Sequence, residues 1–300
     1  MRCPVCKAKN IKNKDSKTGR KRVQKFGKYY RKSDSKMIQR YKCLVCNNTF
    51  SPMTTDPARY QKKRRLNHKI MLMLSSLNSQ RRIAKHLNCN LKTVARKLIY
   101  LGEKALFYNN KALNQQLYQA ETIQFDELQT IEHTKCKPLA VAVAVTEKTR
   151  KILAITVSSM PATGHLSRIA KKKYGYRPDD RISGLVQLFK TIKPVVTQKT
   201  SFLSDKHPYY KPVLRYFYPD ATYKQVKGSK GCVAGQGELK KRGKDPLFYI
   251  NHTLAMLRAN VNRLIRKTWC TTKDPAQLIY HLAIYMYAVS YTHLTLPTKR

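Results

Sequence analysis

Three hundred residues are enough for one sizeable core plus smaller modules. The 61 Lys and Arg against 16 Asp and Glu leave a net charge of +45. A folded chain with that excess calls for a polyanion, and nucleic acid is the partner such charge fits. An apolar content of 42% excludes a disordered basic tail. No apolar run approaches the roughly 18 to 20 residues that span a bilayer, and Met1-Arg2-Cys3-Pro4 opens no signal-peptide apolar region. The expectation is a soluble, intracellular protein with no membrane partner. In that compartment its eight cysteines serve as metal ligands or free thiols rather than disulfides.

Residues 1–55 are rich in Lys and Arg and carry two Cys-x-x-Cys pairs, Cys3-Pro4-Val5-Cys6 and Cys43-Leu44-Val45-Cys46. Each pair can present two thiolates to one tetrahedral ion, and four Cys ligands make a closed structural zinc site. The expectation is therefore a zinc ribbon holding one structural Zn. Its span between the pairs, Lys7 to Lys42, exceeds the usual spacing of about 15 to 20 residues. The excess falls in the basic stretch Lys12–Lys36, readable as an extended hairpin that also touches DNA. Cys89, Cys136, Cys232 and Cys270 have no pair spacing and read as packing residues.

Residues 60–108 change to helical periodicity. Within them, Gln80–Leu98 reads as a helix-turn-helix. Ser79 is the first N-cap, and Ile83, Ala84 and Leu87 line the inner face. Asn88 takes the left-handed turn, Asn90 caps the second helix, and Val94 and Leu98 return to the core. Lys92, Thr93 and Arg96 then face outward from the start of a recognition helix, while Arg81, Arg82 and Lys97 hold phosphates.

From residue 120 to 289 the pattern is α/β. Thr122–Thr130, Pro138–Val145 and Lys151–Ser158 read as strands, the last two joined by a hairpin through Thr146–Arg150. A helix over Ile182–Ile192 stops at Pro194. The strand Ser201–Asp205, a helix over Tyr209–Tyr218 and a last strand Thr222–Val226 follow. Lys227–Lys244, with five glycines, reads as a mobile basic loop. Asp245-Pro246 then starts a helix whose stripe is Leu247, Ile250, Leu254, Leu257, Val261, Leu264 and Ile265. A final apolar helix over Ala276–Val289 packs on it, and Trp269 reads as core. Residues 290–300 read as a non-native read-through tail.

Three meandering strands, a helix, and a strand ending in an acid make the order of an RNase H-like core. Asp126 and Asp205 then stand side by side at strand ends. Two such carboxylates are a candidate site for a pair of Mg (or Mn) ions that serve phosphodiester chemistry. Alternation along the strand turns Glu127 to the opposite face. A third oxygen ligand is expected from the long helix after the basic loop.

The ribbon and helix-turn-helix, followed by Phe125-Asp126-Glu127, Ser204-Asp205-Lys206-His207-Pro208-Tyr209-Tyr210 and an Arg-rich last helix, resemble a bacterial insertion-sequence transposase of the DDE class. The resemblance covers roughly residues 1–289. It implies double-stranded DNA, at element ends and target, as partner, and a homo-oligomer on DNA in a prokaryotic cytoplasm. The implied reaction is Mg-dependent phosphodiester hydrolysis followed by strand transfer. Where relatives carry Glu-Arg on the last helix, this chain has Asn251-His252. Asn251 is the first candidate for the third ligand and Glu238 the second. The alternative is a non-catalytic DNA-binding regulator with a degenerate RNase H-like domain. His207, Tyr209 and Tyr210 either contact the DNA end or pack. Arg258, Arg263, Arg266 and Lys267 form a basic face over the site or a solvated one.

Overall fold

The computed structural model describes residues 2–6, 22–33, 35–115, 120–226, 245–265, 267 and 269–295, with side chains up to Ser290. The Gly/Lys-rich loop, with Glu238 and Cys232, lies outside the described residues, as do Arg266 and the first part of Lys12–Lys36, residues 12–21. The chain divides into two compact units, Met1–Lys69 and Ile70–Arg300.

The first unit is built on a three-stranded antiparallel sheet: β1 (Val23–Arg31), β2 (Lys36–Cys43) and β3 (Thr49–Phe50). Its core is small, consisting of Cys3, Val23, Cys43 and Phe50 with Tyr41 and Cys46 against them. Beyond Val23 nearly all of β1 is exposed. A bulge between Lys25 and Lys28, at Gly27 with φ +63°, twists the hairpin. So few apolar contacts cannot hold the unit by themselves, which is why the cysteine cluster matters to its fold.

Helix α1 (Asn67–Leu74) leads into the second unit. There α2 (Gln80–His86) and α3 (Leu91–Asn114) meet across a short turn. Ser79 Oγ accepts the Arg82 N–H at 3.3 Å, and Asn90 Oδ1 accepts the Lys92 N–H at 2.8 Å. Asn88 sits at φ +43°. Both expected caps and the left-handed turn residue are thus where the sequence pattern assigns them. Helix α3 runs well past residue 108. Its second half crosses α8 (Pro275–Thr295), where Gly102 lets the two approach: a Cβ there would meet Tyr280 Cβ at 2.4 Å. Buried Asn109 donates to Ala283 O at 3.2 Å across the same seam.

The central sheet has five strands in the order β6-β5-β4-β7-β8. These are β4 (Thr122–Ile131), β5 (Pro138–Thr146), β6 (Ile152–Ser159), β7 (Ser201–Asp205) and β8 (Thr222–Val226). The first three form an antiparallel meander, and β7 and β8 run parallel to β4. Strand β5 is buried on both faces, as its unbroken apolar run requires. Its alternation divides the core. Ala142 and Ala144 face α5 (Arg181–Ile192) and α6 (Tyr210–Phe217), whereas Val141, Val143 and Val145 face α7 (Phe248–Asn260) and α8. Gly184 allows α5 to lie against β6, where Thr156 Oγ1 donates to Gly184 O at 3.0 Å.

Several expectations change. Helix α4 (His165–Tyr174) stands between β6 and α5, where the sequence pattern predicts no element. The long helix after the basic loop breaks at Val261 (φ −97°, ψ 106°), and a 3₁₀ turn at Asn262–Leu264 carries the last apolar contact. Trp269 is 76% exposed rather than core, with the Lys267 ammonium 5.6 Å from its ring centroid. Asp245 caps a turn one step before α7, its Oδ1 accepting the Leu247 N–H at 2.9 Å. The backbone of α8 continues as helix to Thr295, through the first part of the segment read as a tail. Among the described residues, no helix is long and apolar enough to cross a membrane.

Candidate active site and metal centre

In the first unit the two Cys-x-x-Cys turns converge. The Cys3 and Cys46 Sγ atoms lie 3.6 Å apart, the Cys6 and Cys43 Sγ atoms 3.5 Å apart, and all four within 4.8 Å of one another. Disulfides need about 2.05 Å, so these are thiols. A tetrahedron with Zn–S bonds of about 2.3 Å has edges near 3.8 Å, so the donor set could bind a metal such as zinc. The second turn is shaped for thiolate: Asn47 adopts φ +55°, and the Asn48 side-chain amide donates to Cys46 Sγ at 3.5 Å. Those Asn48 N–H groups, with smaller help from Cys6 and Cys3, push the Cys46 thiol down to about 6.

In the second unit β4 and β7 pair in parallel at Thr122↔Ser201, Ile123↔Phe202 and Gln124↔Leu203. Carrying that register two residues further brings Asp126 level with Asp205. The ladder stops before that point, so the carboxylates stand where β7 leaves β4, open at the fork. They sense each other: burial first, and then the Asp205 charge, push Asp126 up to about 6. Burial raises Asp205 as well, offset in part by His207. Asp126 Oδ1 accepts the Glu127 N–H at 2.7 Å and the Tyr210 hydroxyl at 3.4 Å. Asp205 Oδ1 is buried without any hydrogen-bond donor. A buried carboxylate oxygen with no donor beside a second carboxylate is a donor set that fits a hard cation.

Strand alternation alone sets Glu127 aside, yet it shares the electrostatic neighbourhood of the pair. Burial pushes it up to about 7, Arg181 opposes that rise, and Asp126, Asp179 and Asp205 add to it. Arg181 begins α5 and grips Asp179 through two nitrogens, at 2.8 and 2.6 Å. Its guanidinium also lies 5.0 Å from the Tyr209 ring centroid. The His207 ring lies tilted against both Tyr209 and Tyr210, with ring centroids 4.0 and 4.9 Å away. His207 Nδ1 and Tyr209 Oη are buried without partners. Tyr210 is 1% exposed, so it is a packing residue whose hydroxyl also reaches Asp126. The signal for this surrounding layer is the acid doublet Asp126-Glu127; what the sequence lacks is the position of the α5 start.

Helix α7 docks on β4 through Gln124, whose Oε1 accepts the Ile250 N–H at 3.1 Å and whose Nε2 donates to Pro246 O at 2.9 Å. Asn251 therefore lies at the level of Gln124, exposed, with its Nδ2 donating to Asp245 Oδ2 at 2.9 Å. The α7 residue whose charge reaches Asp126 is Arg258, seven residues and about two turns onward. Arg263 is half-buried and donates to Cys270 O and Thr271 O, so it braces the chain after α7.

On the helix pair, Arg81, Arg82, Lys92 and Arg96 are exposed and Thr93 partly so. Lys97 is a correction: it is 4% exposed, beside Val94, Leu98 and Leu101 on the inward face of α3, and so does not stand among the phosphate contacts. The i, i+3 and i+4 spacing from those apolar residues carries it inward. The chain matches no protein-family model and no curated protein.

Proposed function

We propose that the chain is a DDE-class transposase that binds the ends of a mobile DNA element and carries out hydrolysis and strand transfer at them. The observation that carries this reading is the pair Asp126 and Asp205, level on neighbouring parallel strands, with Asp205 Oδ1 buried and lacking a donor. The strand order, with an antiparallel meander flanked by two strands parallel to its first, supports an RNase H-like core. The capped helix pair with outward Arg81, Arg82, Lys92 and Arg96 supports a helix-turn-helix DNA contact. The Cys3, Cys6, Cys43 and Cys46 cluster supports one structural zinc.

Asp126 and Asp205 would hold two Mg ions (or Mn). Bound there, these supply Lewis-acid chemistry for in-line displacement at phosphorus. The chain's own groups prepare that site. Tyr210 fixes one Asp126 oxygen, and Arg258 adds positive charge where phosphate must approach. Water attacks first, and the freed 3′-hydroxyl then attacks target DNA, so no covalent protein intermediate is needed. Asn251 offers a neutral carbonyl oxygen, weaker than a carboxylate, while its Nδ2 donates to Asp245. Joining two ends implies a dimer or larger assembly on DNA.

The Asn251–Asp245 bond is also what favours a second reading, a DNA-binding regulator whose catalytic fold is a scaffold. A supercoiled plasmid carrying the cognate inverted repeats, incubated with protein and Mg or Mn, separates the two. The transposase reading expects nicked and joined products that vanish in Asp126→Asn and Asp205→Asn. Ends bound but never cut, with both variants behaving as wild type, point to the regulator.

A further inference from the structure

The β1–β2 hairpin belongs to the first unit, and the carboxylate pair to the second. Register settles which residues share that face. Val23 and Cys43 pair and turn inward to the small core, so the next pair, Gln24 and Lys42, turns outward. Lys36, Ile38, Arg40 and Lys42 of β2 therefore project together, with Tyr29 and Arg31 of β1 opposite Ile38 and Lys36. Phe26 joins the face through the bulge, and the Arg40 and Lys42 cations lie 5.5 and 5.9 Å from its ring centroid.

The segment after β3 returns beside this face and borders an open cavity of about 290 Å³. Arg31, Arg40 and Arg59 line it, together with Tyr29, Tyr60 and Thr54. Among the described residues no carboxylate lines it. The unit's acids in sequence are only Asp15, Asp34 and Asp56, and Asp56 is turned to the Ala58 N–H at 2.7 Å. The bordering segment is ordered by its own bonds: Thr54 Oγ1 accepts the Ser51 N–H at 3.0 Å, and Thr54 N–H returns to Ser51 O at 2.9 Å. Arg59 rests on this turn, donating to Thr54 O at 3.5 Å, and its guanidinium lies 5.1 Å from the Tyr60 ring centroid. Tyr60 itself is 86% exposed.

Two features point to one ligand chemistry. Three arginines lining a concave site, with no carboxylate among its described lining residues, suit a phosphate, which Arg binds through two parallel bonds. An exposed tyrosine on the rim, backed by an arginine, offers a flat face of the kind on which an unpaired base stacks. A duplex keeps its bases inside the stack, so the tyrosine selects for a single strand.

We propose that the cavity between the β1–β2 hairpin and residues 51–60 binds a phosphodiester of single-stranded nucleic acid, with the adjoining base stacked on Tyr60. This site lies wholly within the first unit and needs neither the carboxylate pair nor a divalent ion. Its failure would therefore leave the transposase reading untouched.

The test uses the full zinc-loaded chain and fluorescence anisotropy with a labelled twelve-residue oligothymidylate, across a salt series. Tyr60→Ala is expected to weaken binding about tenfold, and Tyr60→Phe to retain it, as stacking requires. The double variant Arg40→Gln/Arg59→Gln is expected to lower the slope of log K against log salt by about one for each phosphate no longer neutralised. A labelled duplex of the same length should weaken far less on Tyr60→Ala. Zinc content and circular dichroism report whether each variant keeps the ribbon fold, and Tyr60, being exposed, can be replaced without loss of packing. Unchanged affinity and salt slope in folded variants would overturn the proposal. So would equal weakening for duplex and single strand. Competition by thymidine monophosphate at the same phosphate concentration as the oligonucleotide would overturn the polymer as ligand in favour of a free nucleotide.

Discussion

Asp126 and Asp205 are asked to carry charge where burial resists it. A carboxylate whose folded pKa lies above its unfolded value binds its proton more tightly in the native state. Its contribution to stability is complete below the unfolded pKa and is lost as pH rises through the folded one. Asp126, raised from 3.8 to about 6, and Glu127, raised from 4.5 to about 7, therefore destabilise the Mg-free protein as pH climbs from about 4 to 7. Asp126→Asn should remove its share, worth about 1–2 kcal/mol at pH 7 after allowing for solvent screening. In thermal melts without divalent ions, the Tm gain over wild type should be absent near pH 4 and largest above pH 6; a gain independent of pH would refute this origin. On the proposed transposase reading, the same variant should lose strand transfer on the order of a thousandfold, since several kcal/mol of charge stabilisation would go with a metal ligand. Added Mg should raise the wild-type Tm by mass action and leave that of Asp126→Asn unmoved. At this scale the scarcity of acids singled out the pair as a candidate, and spacing misplaced Lys97 and Trp269. Spacing marks which residues share a helix face, but the width of the buried face is set by the neighbour that covers it.

Helix α3 connects the capped turn to the sheet domain. Its start depends on Asn90, so Asn90→Ala should cost about 1 kcal/mol in urea unfolding, the usual worth of an N-cap. Its far half depends on close approach to α8 at Gly102. An alanine there gains up to about 1 kcal/mol in helix propensity, but its Cβ would lie 2.4 Å from Tyr280 Cβ. Overpacking of that kind costs about 1–3 kcal/mol, so Gly102→Ala should destabilise on balance. A midpoint at or above wild type would mean that the helices separate freely. Of the elements, β7 and β8 were legible to the residue, because each is a short run enriched in β-branched or aromatic residues, bounded by turn signals and too short for a helix. Helix α4 was not: Ile169 is 54% exposed, and the helix ends in Lys171, Lys172 and Lys173, leaving too thin a stripe to see. The break at Val261 was also hidden, since the 3.6-residue stripe continues through the 3₁₀ turn to Leu264.

For the whole molecule, the two compact units differ in what holds them. The second has a sheet covered on both faces, whereas among the described residues the first has a core cluster of Cys3, Val23, Cys43 and Phe50, two of them from the cysteine cluster. Chelation of the metal, or Cys43→Ser, should therefore abolish the native signal of the first unit and leave the main cooperative transition of the second. Separate tryptophan and tyrosine probes in calorimetric and spectroscopic melts check this, and loss of both units together would contradict it. By itself the sequence determined the charge, on which the proposed partner rests. It also determined the cysteine spacing, the helix caps and the alternation that sorts β5 into two faces, because each of these is local chemistry or a count. Only the tertiary structure decided that Asp126 and Asp205 are level across β4 and β7. It also drew Glu127, Arg181 and Arg258 into the carboxylates' neighbourhood, and it tied Asn251 to Asp245. Those relations join residues far apart along the chain, and strand register and helix docking, set by the packing of the core, fix them.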